Sequence, residues 1–363
     1  VRKIRILTIM LIIIININVS FAAIQDFEYI SSNSTTTNEL DISFVGDVII
    51  HMSQNIAAYN GKDYNFDYSF ENVKEHFESK DLAIFNLETT LTSDLSRLSG
   101  YPLFVSPYTI LDTLKDSGFD IALRANNHML DGGKNGFINT GKFIDYYGFY
   151  STGGEFEKEV KPLLIKKNGI KIGLANYTFG TNGILPSEGI NVNYLGEEKM
   201  LQDIEYMKKN GVEFIIFLLH FGNEYETIPN LEQKSYVKFL SENGANLIVG
   251  SHPHVIQGYE KYGNTDVYYS LGNFVSNQYF DYTYVGAVLD LSLKRDSMGK
   301  IISSYRVIPS YVDRYDGEVL NHQIFLLDND KYRSFSRIDN DDLQDIKSSI
   351  EFFDGILDRG INE

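Results

Sequence analysis

Acidic, amide and imidazole side chains stand where short apolar runs of the chain end. Residues 42–45 run into Gly46-Asp47, and residues 82–85 run into Asn86-Leu87-Glu88. Residues 121–123 lead to Asn126-Asn127-His128. Residues 214–219 end at His220, followed by Phe221-Gly222-Asn223-Glu224, and residues 247–250 end at Ser251-His252-Pro253-His254. Each signal alone has an ordinary reading. An Asp after Gly serves turns and helix caps, paired Asn residues supply left-handed backbone, and a lone His is often a hydrogen-bonded rim residue. Together they bring two carboxylates, at least one amide and four of the seven histidines to successive strand ends, which no packing requirement explains. Oxygen and imidazole donors without thiolate suit divalent Mn, Fe or Zn. Pro253 biases His252 towards extended backbone, so two imidazoles separated by it can face two neighbouring ions. The chemistry this predicts is a two-metal centre, in which paired dications share a bridging carboxylate and clamp a displacement at phosphorus. Two dications outweigh Asp47, Glu88 and a hydroxide in charge, so the site would attract a phosphoryl group despite an acidic protein around it.

Such a centre needs strands that deliver their carboxyl ends to one crevice, as open α/β sheets do. Runs 42–46, 82–87, 121–125, 214–219 and 247–250 read as buried strands bounded by polar or Gly signals. Windows 197–210 and 231–243 have helical spacing and stop at Gly211 and Gly244. The alternation predicts an α/β fold with much parallel pairing. Two hairpins interrupt it: 162–167 and 170–176 about Asn168-Gly169, a type I′ signal, and 285–295 with 300–308 about Met298-Gly299. A helix is expected near 342–358, in a tail without identifiable chemistry.

The chain has 363 residues, 43% hydrophobic and 22% charged, values of a globular protein able to bury a sizeable core. A net charge of −17 argues against nucleic acid as a partner, because phosphate contacts need a basic footprint. Cys is absent, which removes disulfides, thiol nucleophiles, Cys-ligated zinc and iron–sulfur clusters. Arg2, Lys3 and Arg5 precede an apolar run at 6–15, and Ser20-Phe21-Ala22 offers small residues for cleavage after Ala22. Residues 1–22 are therefore expected to be a signal peptide or an N-terminal membrane anchor, followed by a polar spacer at 23–40. The folded part is expected outside the cytoplasmic membrane, at the cell surface or anchored to that membrane's outer face.

Gly46-Asp47-Val48, Asn86-Leu87-Glu88, Asn126-Asn127-His128, His220-Phe221-Gly222, Ser251-His252-Pro253-His254-Val255 and Ser270-Leu271-Gly272-Asn273-Phe274, in that order, resemble the bacterial capsule-synthesis CapA family. That family, with relatives in poly-γ-glutamate biosynthesis, is similar to the calcineurin-like metallophosphatases. The resemblance covers about Asp41 to Asn277 and fades towards Pro309. It implies a four-layer αββα sandwich, two mixed β-sheets flanked by helices, in a domain at 41–310 with a C-terminal extension at 311–363. Carried over, Asp47 would bind one metal and Glu88 would bridge both. Asn127, His220 and His252 would hold the second metal, and His254 the first. His128 would be the general acid, and Asp131 would either orient it or cap the helix that follows.

The sequence departs from the phosphatase pattern. Ile49 stands where Asp-x-His has its histidine, so the first metal lacks a ligand. His51 shares strand parity with Asp47 and replaces that ligand only if the chain curls inward. Arg124 either meets an anionic substrate or is solvated or ion-paired, and His76 and His322 receive no role. The function this implies is an exported, metal-dependent phosphoesterase-like protein of capsule or poly-γ-glutamate assembly, with an anionic polymer or phosphoester as substrate. Membrane-bound polymer synthase subunits are the expected partners. The alternative is a non-enzymatic component of a polymer-synthesis complex with a degenerate metal site.

Overall fold

The computed structural model describes residues 28–29, 38–316, 319–327, 344, 347–348 and 351–356. Side chains alternate along its strands, so each strand feeds two packing layers. In β1 (Glu39–Val48), Leu40, Ile42 and Phe44 face the core between the sheets. In β2 (Leu82–Leu87), Leu82 and Ile84 join them, while Ala83 and Phe85 face the other way. Strands β1, β2, β3 (Ile121–Leu123) and β4 (Tyr150–Thr152) pair in parallel and in that order.

The second sheet begins with the expected hairpin, β5 (Leu163–Lys167) and β6 (Ile170–Thr178). Its turn has φ 51 at Asn168 and 82 at Gly169, positive at both positions as a type I′ turn requires. Strands β6, β7 (Phe214–His220), β8 (Leu247–Ser251) and β10 (Thr265–Leu271) are parallel, and β9 (Ile256–Tyr262) closes the edge antiparallel to β10. Leu174, Ile216, Leu218 and Val249 meet the first sheet's residues in the shared core. The chain then returns to the first sheet. Strand β11 (Asn273–Val275) lies parallel beside β1, and β12 (Val285–Arg295), β13 (Ile301–Asp316) and β14 (Val319–Leu326) extend the sheet antiparallel from β1.

Helices cover both outer faces. Helices α1 (Ile110–Asp116) and α2 (Gly133–Tyr146) place Ile110, Leu114 and Ile144 against Ala83 and Phe85. Helices α3 (Glu197–Lys209) and α4 (Leu231–Asn243) bury Met200, Ile204, Met207, Val237 and Leu240 against Ile215, Phe217 and Ile248. Helix α4 ends at Gly244 with φ 105, the left-handed cap expected of that glycine. This is the four-layer αββα sandwich with two mixed sheets inside.

Strand β13 runs straight through position 310, where the extension was expected to begin, and β14 continues the same sheet. Residues 344, 347–348 and 351–356 are helical, and Phe353 and Ile356 are buried in the core between the sheets. The described parts of the extension therefore pack into the sandwich. The expected export segment at 1–22 lies outside the described residues, as does most of the spacer. No helix among the described residues is long and apolar enough to cross a membrane.

Candidate metal centre

The carboxyl ends of β1, β2 and β3 from one sheet and β7 and β8 from the other deliver every expected ligand to one buried cluster. Glu88 lies with His220 and His252, and also with Asp47 and His254, the ligand atoms of each trio being within 4.8 Å of one another. Glu88 thus belongs to both trios. Asn127 Oδ1 sits 2.8 Å from His220 Nε2, and Glu88 Oε1 sits 3.6 Å from the same nitrogen. His254 Nδ1 is 3.1 Å from Asp47 Oδ2. All six of these side chains are buried.

Local backbone explains how the donors are aimed. Gly46 is required because a Cβ there would meet the carbonyl oxygen of Gly272 at 1.9 Å, and that carbonyl accepts the Asp47 N–H at 3.0 Å. The turn carrying the two imidazoles departs from expectation. His252 has φ 97 and His254 φ 60, so the residue before Pro253 is not extended. The His252 N–H donates to Asp47 Oδ2 at 3.2 Å, and the Pro253 carbonyl accepts the Tyr225 N–H at 2.8 Å. These bonds hold a conformation that non-glycine residues seldom adopt and that gathers at functional sites.

The electrostatics of the cluster are compatible with a cation. Burial, then the charge of Asp47, pushes the Glu88 carboxyl well above its ordinary range. Burial acts in the same sense on Asp47, but the hydrogen bond and charge of His254 outweigh it and hold Asp47 well below that range. Burial lowers His220 to about 3, and burial with the charges of His220 and His254 lowers His252 well below its usual value. Both imidazoles are therefore neutral and keep a lone pair for a metal. Glu88 Oε1 and His252 Nδ1 are buried without a hydrogen-bond partner. Buried polar atoms left so cost about 1–3 kcal/mol each, and a divalent ion would satisfy both, so the residues present fit a metal.

His128 stands beside the cluster, with Nδ1 2.7 Å from Asp131 Oδ2, and its ring meets Phe104 edge-on at 4.7 Å. Asp131 also accepts the Phe104 N–H at 2.6 Å, whereas Gly132 is the cap residue of α2. Asp131 therefore contacts His128 and does not stand at the N-cap of α2.

Three residues needed more than sequence to find. Asn86 donates to Asp47 Oδ1 at 2.8 Å and Glu88 Oε2 at 3.2 Å, because strand register sets it opposite Asp47. Asn182 accepts from Asn127 Nδ2 at 3.2 Å. Glu224 lies with His252 and His254. Other expectations find their places elsewhere. Ile49 is buried in the interior. His51 does not curl inward: its Nδ1 accepts the Asn277 N–H at 3.2 Å, and it caps the short helix Met52–Ala58. Arg124 is neither solvated nor directed at a substrate, since it is buried and donates to the carbonyls of Gly154 and Phe137, both at 3.0 Å. His76 contacts Asp290 at 3.1 Å.

A four-layer sandwich carrying a buried carboxylate and imidazole cluster at its strand ends defines a protein whose crevice could hold a metal ion. The chain belongs to the family described as bacterial capsule synthesis protein PGA_cap, whose model matches residues 41–278. It is 28% identical over 307 residues to the capsule biosynthesis protein CapA of Bacillus anthracis, covering 80% of this chain and 73% of that protein. It is 29% identical over 280 residues to the PGA biosynthesis protein CapA of Bacillus subtilis, covering 72% and 70%. Among solved structures, the NAD nucleotidase NadN of Haemophilus influenzae aligns with a TM-score of 0.49 and 16% identity, over 82% of this chain and 63% of that one.

Proposed function

We propose that this chain is a metal-dependent phosphoesterase acting outside the cytoplasmic membrane in capsule or poly-γ-glutamate assembly. The observation that carries the reading is the pair of unpartnered buried donors, Glu88 Oε1 and His252 Nδ1, inside a cluster where the His220 and His252 imidazoles are neutral. Asp47, Glu88 and His254 would hold one ion, and Glu88, Asn127, His220 and His252 the other. When bound, two divalent ions supply a low-pKa water and charge for a phosphoryl group. The chain's own part is proton handling and orientation. Asp131 accepts from His128 Nδ1, which leaves Nε2 as the nitrogen able to deliver a proton to a departing oxygen. Asn86 fixes both carboxylates through one amide. An anionic polymer or its phosphoester precursor is the substrate class this supports, and synthase subunits in the membrane are the partners it would serve.

The non-enzymatic reading draws on Ile49, which removes one ligand from the Asp47 side. Metal analysis of protein purified without chelator, beside hydrolysis of simple phosphodiesters with Mn, Fe or Zn added, tests the proposal. About two ions per chain and chelator-sensitive turnover are expected. Metal-loaded protein without turnover on any ester would favour the assembly component.

A further inference from the structure

We infer that Glu224 is a metal ligand, supplying on the His254 side of the centre the donor that Ile49 does not. The inference rests on the metal reading above and deepens it. On the side of His220, four donors converge: Glu88, His220 and His252, with Asn127 Oδ1 2.8 Å from His220 Nε2. On the side of His254, the buried trio is Asp47, Glu88 and His254, one short of the four donors that nitrogen and oxygen sites commonly require. The carboxylate of Glu224 is the acidic group that meets the imidazoles from the solvent side, its oxygen lying within 4.8 Å of ligand atoms of His252 and His254. His252 is 4% exposed and has an Nδ1 without a partner, so the surroundings of Glu224 contain an unsatisfied donor as well as an exposed acid.

The loop that carries Glu224 is fixed before any ion arrives. Phe221 N–H donates to the Ser251 carbonyl at 3.0 Å, and Tyr225 N–H donates to the Pro253 carbonyl at 2.8 Å. Both bonds tie the loop to the His252-Pro253-His254 turn on either side of Glu224. Gly222 has φ 104, and a Cβ there would meet the Gln233 side chain at 2.8 Å, so the bend into the loop is set by close packing. Gln257 Nε2 donates to the Glu226 carbonyl at 2.8 Å and anchors the far side. The Tyr225 ring lies 6.0 Å from the His254 ring and 4.3 Å from that of Phe280, which shields the approach. With the loop backbone held in this way, coordination has only the Glu224 side chain itself left to order. The exposure of Glu224 further implies that this ligand can be exchanged for a substrate oxygen without disturbing the buried set.

Manganese binding to Glu224→Gln, measured by titration calorimetry and by metal content after dialysis, tests the inference without reference to activity. Glu226→Gln in the same loop serves as the control, and Glu224→Asp keeps the charge on a shorter arm. Wild type and Glu226→Gln are expected to behave alike. Glu224→Gln should lose one ion on dialysis or bind it at least about tenfold more weakly, since even groups that only support ligands cost 10–100-fold. Glu224→Asp should fall between them. A Glu224→Gln protein with wild-type metal content and affinities overturns the inference and leaves the metal reading intact. Wild-type protein that takes up no manganese, zinc or iron overturns both.

Discussion

Glu88 is costly to bury without a metal and would be the shared ligand with one. It shares a buried cluster with Asp47, its Oε1 has no hydrogen-bond partner, and burial drives its carboxyl towards the neutral form. An unpaired buried charge costs several kcal/mol unless an opposite charge joins it. Glu88→Gln should therefore leave the chelator-treated protein as heat-stable as wild type, or more so. Added metal should stabilise wild type by about 2.7 kcal/mol at a hundredfold excess over Kd and leave the variant largely unmoved. Thermal unfolding with and without metal checks this, and equal metal-induced rises in the two proteins would count against Glu88 as a ligand. All six ligand positions taken from the motifs converge, because residues at the ends of adjacent strands share a crevice whatever the details of packing. Asn86 escaped the same reading because its role depends on register: pairing opposite Asp47 puts one amide between two carboxylates, and register is a property of two strands. Glu224 sits on a loop, whose path no periodicity reports.

Elements decide which polar groups are trapped away from water, and β14 traps a histidine that the sequence left without a role. His322 is fully buried, its Nε2 lies 2.7 Å from Asn277 Oδ1, and its Nδ1 has no partner. Burial first, then the charges of His51 and Arg314, lowers its pKa from the usual 6.5 to about 3. Between those values the unfolded chain holds a proton here that the folded chain does not, so stability falls as pH falls through that window. The slope is about 1.4 kcal/mol per pH unit for one such group. His322→Gln keeps an amide donor for Asn277 and removes the titration. Its loss of stability between pH 7 and pH 5 in urea, with chelator present, should be smaller than wild type's by about 2 kcal/mol. Parallel profiles for the two proteins would show that His322 is already charged when folded. The strands that hold the site were legible from buried runs and glycine stops, with 82–87 matched at both ends and the other boundaries within three residues. The β12–β13 hairpin was legible from its turn at Met298-Gly299, but its docking on β1 was not, because β12 and β1 lie far apart in the chain and their pairing leaves no local pattern.

At the scale of the whole molecule, the question is whether the sandwich serves the cell as a catalyst or as a part in an assembly. Both readings need the fold, and both are compatible with a bound ion, so neither stability nor metal content separates them. His128 does. It lies beside the ligand cluster, is held by Asp131 at 2.7 Å, and has no task in a site that merely binds. General acid catalysis is typically worth 10²–10⁴-fold, about 3–5 kcal/mol of barrier. His128→Ala should keep its metal and its thermal stability while losing turnover on that scale for esters with poor leaving groups. The loss should be smaller for nitrophenyl esters, whose leaving group hardly needs a proton. His252→Ala should lose an ion as well, since His252 contributes to the donor trio around Glu88. Combining the two in a capsule-forming cell removes the chemistry and leaves the outer surface almost unchanged, because both side chains are buried. If the protein is an enzyme, polymer output should collapse although the double variant accumulates and is exported normally. If it is an assembly component, the intact surface should suffice and output should match wild type, since partner contacts read the outside of the sandwich and the proton donor lies within it.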